Sequence, residues 1–238
     1  MKVIAIASLK GGVGKTGLSV SLGNETGKNH KTLSIDLDAQ ASLTDFYLRE
    51  IPSKAIFARN IFHHLSGHTD LENVIHKTLF GDVIPSALNL YSIGAITSGN
   101  PTAILEHKEE IRNQDYEYIF IDCPPSPSYE FRLGVSCADL VLVPVSKDRW
   151  SVQGLSLLLE ETSKLKKAGM FQGEVMVIPS IVSEKEGELL REEMKSLKVC
   201  RQTFLRKPKI KSSLNLGKGI KDASEEEKMI RDILEEVL

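Results

Sequence analysis

Residues 3–16 read Val3-Ile4-Ala5-Ile6-Ala7-Ser8-Leu9-Lys10-Gly11-Gly12-Val13-Gly14-Lys15-Thr16, an apolar run that breaks into glycines and closes on Lys-Thr. The unbroken apolar run suits a strand buried on both faces, and Leu18, Val20 and Leu22 carry a helical pattern onward from the loop. Strand, glycine loop and helix in that order form an anion-binding turn. The glycines let consecutive backbone N–H groups curl inward, and the helix N-terminus adds the positive end of its dipole. Lys15 is then expected to reach the β- and γ-phosphates, and the Thr16 hydroxyl to ligate Mg²⁺. The strict phosphate-loop consensus opens on glycine, where this chain has Leu9.

Outward from that loop, apolar runs recur at 33–37, 118–121, 140–145 and 175–178. Helical spacing falls between or after them: Val152, Leu155, Leu158, Leu159 and Leu165 form one stripe over 150–167. In 224–238, Ser224 is placed to cap a helix whose first turn holds three glutamates and whose apolar residues are Met229, Ile230, Ile233, Leu234 and Val237. Alternating β and α elements predict an α/β fold, a doubly wound, mostly parallel sheet flanked by helices in a single domain over 1–238. The stretch 51–101 is less regular and reads as an insertion, with a helix near 56–65 and extended pieces at 83–84 and 90–93.

Composition narrows the function. With 41% apolar and 26% charged residues, the chain is of ordinary globular character. Cys123, Cys137 and Cys200 are widely spaced and include no Cys-x-x-Cys pair, which argues against a disulfide framework, a zinc ribbon or an iron–sulfur site and for a reducing cytoplasm. The N-terminus lacks signal-peptide features, and no apolar run approaches the roughly 20 residues that span a bilayer. The net charge of −2 hides an asymmetry: 201–221 holds seven basic residues and no acidic one, and acids dominate from Asp222 onward.

The loop resembles the lysine-led Walker A motif, Lys-Gly-Gly-x-Gly-Lys-Thr/Ser, of the ParA/MinD ATPases, in which the residue before the first lysine varies. The resemblance implies a P-loop ATPase with ATP and Mg²⁺ as cofactors and a nucleotide cradle of Lys10, Gly11, Gly12, Val13, Gly14, Lys15, Thr16 and Gly17. Lys10 would reach phosphates bound by a second copy, so that the homodimer closes on ATP. Gly17 departs from the usual Thr or Ser, and a glycine in a first helical turn costs stability while sparing the cradle. Ser34-Ile35-Asp36-Leu37-Asp38-Ala39-Gln40 resembles the family's Asp-x-Asp-x-Gln segment. There Asp38 would position or activate the attacking water, and Asp36 would lie near Mg²⁺ and the loop. The spacing of these carboxylates, i and i+2 along a strand, predicts that both point to one side. Tyr118-Ile119-Phe120-Ile121-Asp122-Cys123-Pro124-Pro125-Ser126 resembles the Walker B strand, which implies that Asp122 holds Mg²⁺ through water, directly or via Thr16. Cys123 reads as a small buried filler.

Relatives of different function share such a site. The last helix carries Glu225, Glu226, Glu227, Glu235 and Glu236, which an anionic membrane would repel, unlike the basic amphipathic tail of MinD-like proteins. By position, Lys209 is the match to a DNA-gripping arginine of ParA-like proteins, with Arg206, Lys207 and Lys211 nearby and Lys185 at a second site, in the turn after 178–183. Sequence-blind phosphate binding tolerates lysine in those places. Leu205 to Pro208, with Ser180 and Ile181, would pack on adenine. With the loop beginning at residue 9, no N-terminal helix-turn-helix is expected. The resemblance thus implies a ParA-like segregation ATPase that binds nonspecific double-stranded DNA, answers to a ParB-like centromere-binding protein and works in the cytoplasm on the nucleoid, away from membranes. The alternative is a MinD-like or protein-cargo-positioning ATPase.

Overall fold

The structure, a computed structural model, describes residues 1–238 apart from 101, 148, 206 and 221; at 149–152, 211, 214 and 215 it describes backbone only. The loop's strand, β1 (Lys2–Ile6), lies inside the sheet and is followed by α1 (Lys15–Gly27) and β2 (Thr32–Asp36). Next come three short helices, α2 (Ser42–Leu48), α3 (Ser53–Ala58) and α4 (Ile61–Leu65), and a hairpin of β3 (His76–Thr78) and β4 (Gly81–Ile84). Two more helices, α5 (Ile93–Thr97) and α6 (Ala103–Arg112), lead to β5 (Tyr118–Asp122), α7 (Tyr129–Cys137), β6 (Leu140–Val145), α8 (Arg149–Lys167) and β7 (Glu174–Val182). The chain ends with α9 (Glu184–Glu193), β8 (Phe204–Leu205), α10 (Pro208–Asn215) and α11 (Glu225–Val237). Among the described residues the strands form one eight-stranded sheet in the order β3-β4-β2-β5-β1-β6-β7-β8. All pairings are parallel except that of β3 with β4.

Alternation along β1 shows why its apolar run is continuous. Val3 and Ala5 pack into one core with Phe131, Val135, Leu155 and Leu158 of α7 and α8. Ile4 and Ile6 face the other core, with Leu18 and Leu22 of α1 and Met229, Ile230, Ile233 and Val237 of α11. Both faces of the sheet are covered, as a parallel sheet requires.

Four of the five expected strands are displaced at their ends by one to four residues, and β6 coincides with its apolar run. The insertion differs more. The helix expected near 56–65 is two, because Asn60 turns extended and caps α4 through its side chain, which accepts from the Phe62 N–H at 3.0 Å. The segment at 90–93 is not extended: a 3₁₀ turn over Leu88–Ser92 runs into α5. Buried Leu90 and Ile93 are spaced i, i+3, which puts them on one side of a helical coil and would put them on opposite faces of a strand. At the end of the chain Ser224 does cap α11, accepting from the Glu227 N–H at 3.1 Å.

Candidate nucleotide site at the carboxyl edge of the sheet

Neighbouring strands β2, β5 and β1 end level with one another: Asp36 is the register partner of Asp122, and Asp122 that of Ile6. The loop leaving β1, the two aspartates and the end of β7 therefore meet at the carboxyl edge of a parallel sheet, where open α/β folds bind ligands.

The loop's shape follows from its glycines. Gly12 has φ 78° and Gly14 φ 88°, conformations that L side chains rarely adopt. A side chain at Gly14 would also strike Ile181 Cδ1 at 2.8 Å and Ser180 Oγ at 3.1 Å, whereas one at Gly11 or Gly12 would meet nothing within 4 Å. The loop is thus packed tightly from behind and open in front. Ser180 Oγ donates to the Val13 carbonyl at 2.7 Å. Ile181 itself sits at φ 56°, an outlier for a β-branched residue, where the register of β7 and β8 shifts. Ser180 and Ile181 therefore back the phosphate loop, a role the adenine expectation did not include.

Lys15 is buried, and its ammonium donates to the Lys10 carbonyl at 3.3 Å, closing the loop on itself. Thr16 Oγ1 donates to Asp122 Oδ2 at 2.7 Å, and Ser19 Oγ lies 3.0 Å from Asp122 Oδ1. Thr16 and Ser19 are spaced i, i+3 on one face of α1, so Ser19 could have been read from the sequence as a second partner of Asp122. Burial raises the Asp122 carboxyl above the ordinary range; the Thr16 hydrogen bond and the Lys15 charge oppose that, and the Asp38 charge adds to it. Lys10 packs its Cβ against α8, where a side chain at Gly154 would come within 3.3 Å.

Asp36 is wholly buried at the end of β2, within electrostatic reach of Asp122. Its Oδ1 accepts from the Asp38 N–H at 3.0 Å; its Oδ2 accepts from the Thr44 N–H at 2.9 Å and hydroxyl at 2.8 Å. Asp36 thus holds the turn that carries Asp38 and caps the first turn of α2. Burial and the Asp122 charge raise its carboxyl above the ordinary range. Asp38 is half-buried, with Oδ1 accepting from the Gln40 N–H at 2.9 Å. Cys123 is buried and free, with its thiol pushed up by burial, as a filler residue should be.

Residues of this edge fit a nucleotide triphosphate with Mg²⁺: an open glycine turn, a helix start with no acidic residue in its first turn, a lysine folded over the loop and a hydroxyl paired with a strand-end carboxylate. Away from the edge, Pro208 opens α10 and is exposed. Lys185 is exposed in the first turn of α9, not in the preceding turn. Lys207 lies 3.1 Å from Glu225, and Lys209, 84% exposed, lies 4.0 Å from Glu226. Arg206 and the side chain of Lys211 lie outside the described residues. Among the described residues no helix is long and apolar enough to cross a membrane.

A doubly wound sheet with such a loop after an interior strand defines a P-loop nucleotide-binding protein. A family model described as an AAA domain matches residues 1–175, and the chain is 30% identical over 183 residues to the maintenance of carboxysome distribution protein A of Gloeothece citriformis, covering 75% of this chain and 70% of that one. The chain belongs to the ParA/MinD family of P-loop ATPases. It is also 33% identical over 173 residues to the sporulation initiation inhibitor protein Soj of Bacillus subtilis, a match covering 70% of this chain and 66% of Soj, just under two thirds of that relative's length. Among solved structures, a plasmid partition protein of Borrelia burgdorferi bound to AMPPNP superposes with a TM-score of 0.85 at 26% identity, over 98% of this chain and 97% of that one.

Proposed function

We propose that this protein is a ParA-type partition ATPase. ATP with Mg²⁺ closes two copies into a sandwich dimer, the dimer holds double-stranded DNA without sequence preference, and hydrolysis, stimulated by a ParB-like centromere-binding partner, releases it on the nucleoid. The observation that carries this reading is the open, lysine-led loop with Thr16 bonded to Asp122 at 2.7 Å. Lys15 grips the β- and γ-phosphates, and Thr16 and Asp122 hold Mg²⁺, which offsets phosphate charge when bound. Asp38, held by the Asp36 turn, orients the attacking water. Lys10, on the rim of the loop, serves the partner copy's phosphates. Phosphoryl transfer consists largely of such positioning and charge stabilisation.

Exposed Lys185 and Lys209 and the acid-free run 201–221 support the DNA part. A second reading, a protein-cargo-positioning ATPase, is favoured by the likeness to the carboxysome distribution protein. Co-sedimentation with DNA and with anionic liposomes, in ATP and in ADP, tests the choice. ATP-dependent binding to DNA alone is expected; binding to liposomes with no uptake on DNA would overturn it. Lys10→Ala should still bind ATP yet remain monomeric by light scattering.

A further inference from the structure

We propose that His64, His107 and Glu110, between α4 and α6, form a site for a divalent metal of the zinc class, independent of any reading of the nucleotide edge. His107 and Glu110 are spaced i, i+3 on α6, and His64 comes from α4 in the insertion. One ligand atom from each lies within 4.8 Å of the others. His64 Nε2 is 3.1 Å from Glu110 Oε2, close to the roughly 3.3 Å edge between two ligands of a tetrahedral ion at about 2.0 Å bond lengths.

Tautomers point the same way. His64 is only 5% exposed, and its Nδ1 lies 3.2 Å from the Thr69 carbonyl, which can only accept. Nδ1 therefore carries a proton toward Thr69, and Nε2, which has no other hydrogen-bond partner, faces Glu110. That arrangement is the outer-shell geometry of metal-bound histidines. A carboxylate oxygen 3.1 Å from Nε2 requires a positive centre between them, either a metal ion or the proton of an imidazolium. His107 Nδ1 is 2.6 Å from the Tyr129 hydroxyl, which can accept its proton and leave Nε2 free. Gly67, His68, Thr69 and Asp70 wall the adjoining polar cavity, which has room for a water or a fourth side chain. Imidazole with one carboxylate suits zinc and not Mg²⁺, which prefers an all-oxygen shell. Such an ion ties the insertion to α6.

Zinc titration by calorimetry, with Mg²⁺ in excess, tests this on the whole protein. One zinc per chain is expected, with His107→Gln and the half-exposed Glu110→Gln each weakening uptake at least about ten-fold at unchanged far-ultraviolet dichroism. Co²⁺ should give a visible absorption band that His107→Gln abolishes. No stoichiometric uptake by the unaltered protein, or equal uptake by both variants, would overturn the site; a proton shared by His64 and Glu110 would then account for their approach.

Discussion

Charges at the carboxyl edge of the sheet and charges in the final 38 residues are held in opposite ways. At the edge, Asp36 and Asp122 are buried and each carboxylate oxygen has a named partner. In the C-terminal segment, each pair has one partner well exposed: Lys207 meets the exposed Glu225, and the exposed Lys209 reaches toward the buried Glu226. Water screens the second kind and cannot reach the first, so side-chain identity should matter far more at the edge.

Substitutions at the edge should break that contrast with the largest effect. Lys15→Ala and Asp38→Ala should each slow phosphate release by about a hundred-fold or more, the scale of losing one positioned group in a preorganised site. Equal single-turnover rates for Asp38→Ala and the unaltered protein would remove Asp38 from the reaction.

A smaller, structural effect is expected at Asp36. Asp36→Ala leaves the N–H groups of Asp38 and Thr44 without their acceptor, at a cost of about 1–3 kcal/mol in urea unfolding. The sign of its pH dependence follows from its raised folded pKa. The folded state binds the proton more tightly than the unfolded chain, so the contribution to stability is whole below about pH 4 and is lost as pH rises toward neutrality. Asp36→Asn should therefore flatten the fall of stability between acid and neutral pH; an unchanged slope would count against the buried pair.

Smallest is the expected effect of Lys207→Ala or Lys209→Ala on folding: no measurable change in the unfolding midpoint. Each should instead lower the salt dependence of DNA binding by about one phosphate contact. A shift in the unfolding midpoint without a change in the salt slope would make these lysines structural partners of α11.

Much of the edge was legible because its chemistry is written in contiguous runs: Lys10 to Thr16, Asp36 to Gln40, and the strand ending at Asp122. What was not legible joins distant segments. Nothing in Ser180 or Val13 alone announces their hydrogen bond across 167 residues of sequence, and Thr44 gives no sign that it will satisfy Asp36. The glutamates of α11 were read in the sequence as charges that an anionic membrane would repel. In the structure Glu227 accepts from Lys28 at 2.8 Å, and Arg231 crosses to Glu25 of α1 at 2.8 Å, so part of that charge joins helices together. The insertion was least legible, since a segment as short as 90–93 holds too few residues to separate a strand from a helical turn, and tertiary packing decides.

The left-handed turn at Ile181 carries a consequence for how the phosphate loop keeps its shape. A segment with three glycines in seven residues has more conformational freedom to lose than almost any other, and on its own would pay heavily in entropy to stand ready for a ligand. By wedging Ile181 against Gly14 and tying Val13 to Ser180, β7 makes the loop borrow its stiffness from the sheet. That ordering cost falls at folding and not at binding, which leaves more of each phosphate contact to appear as affinity.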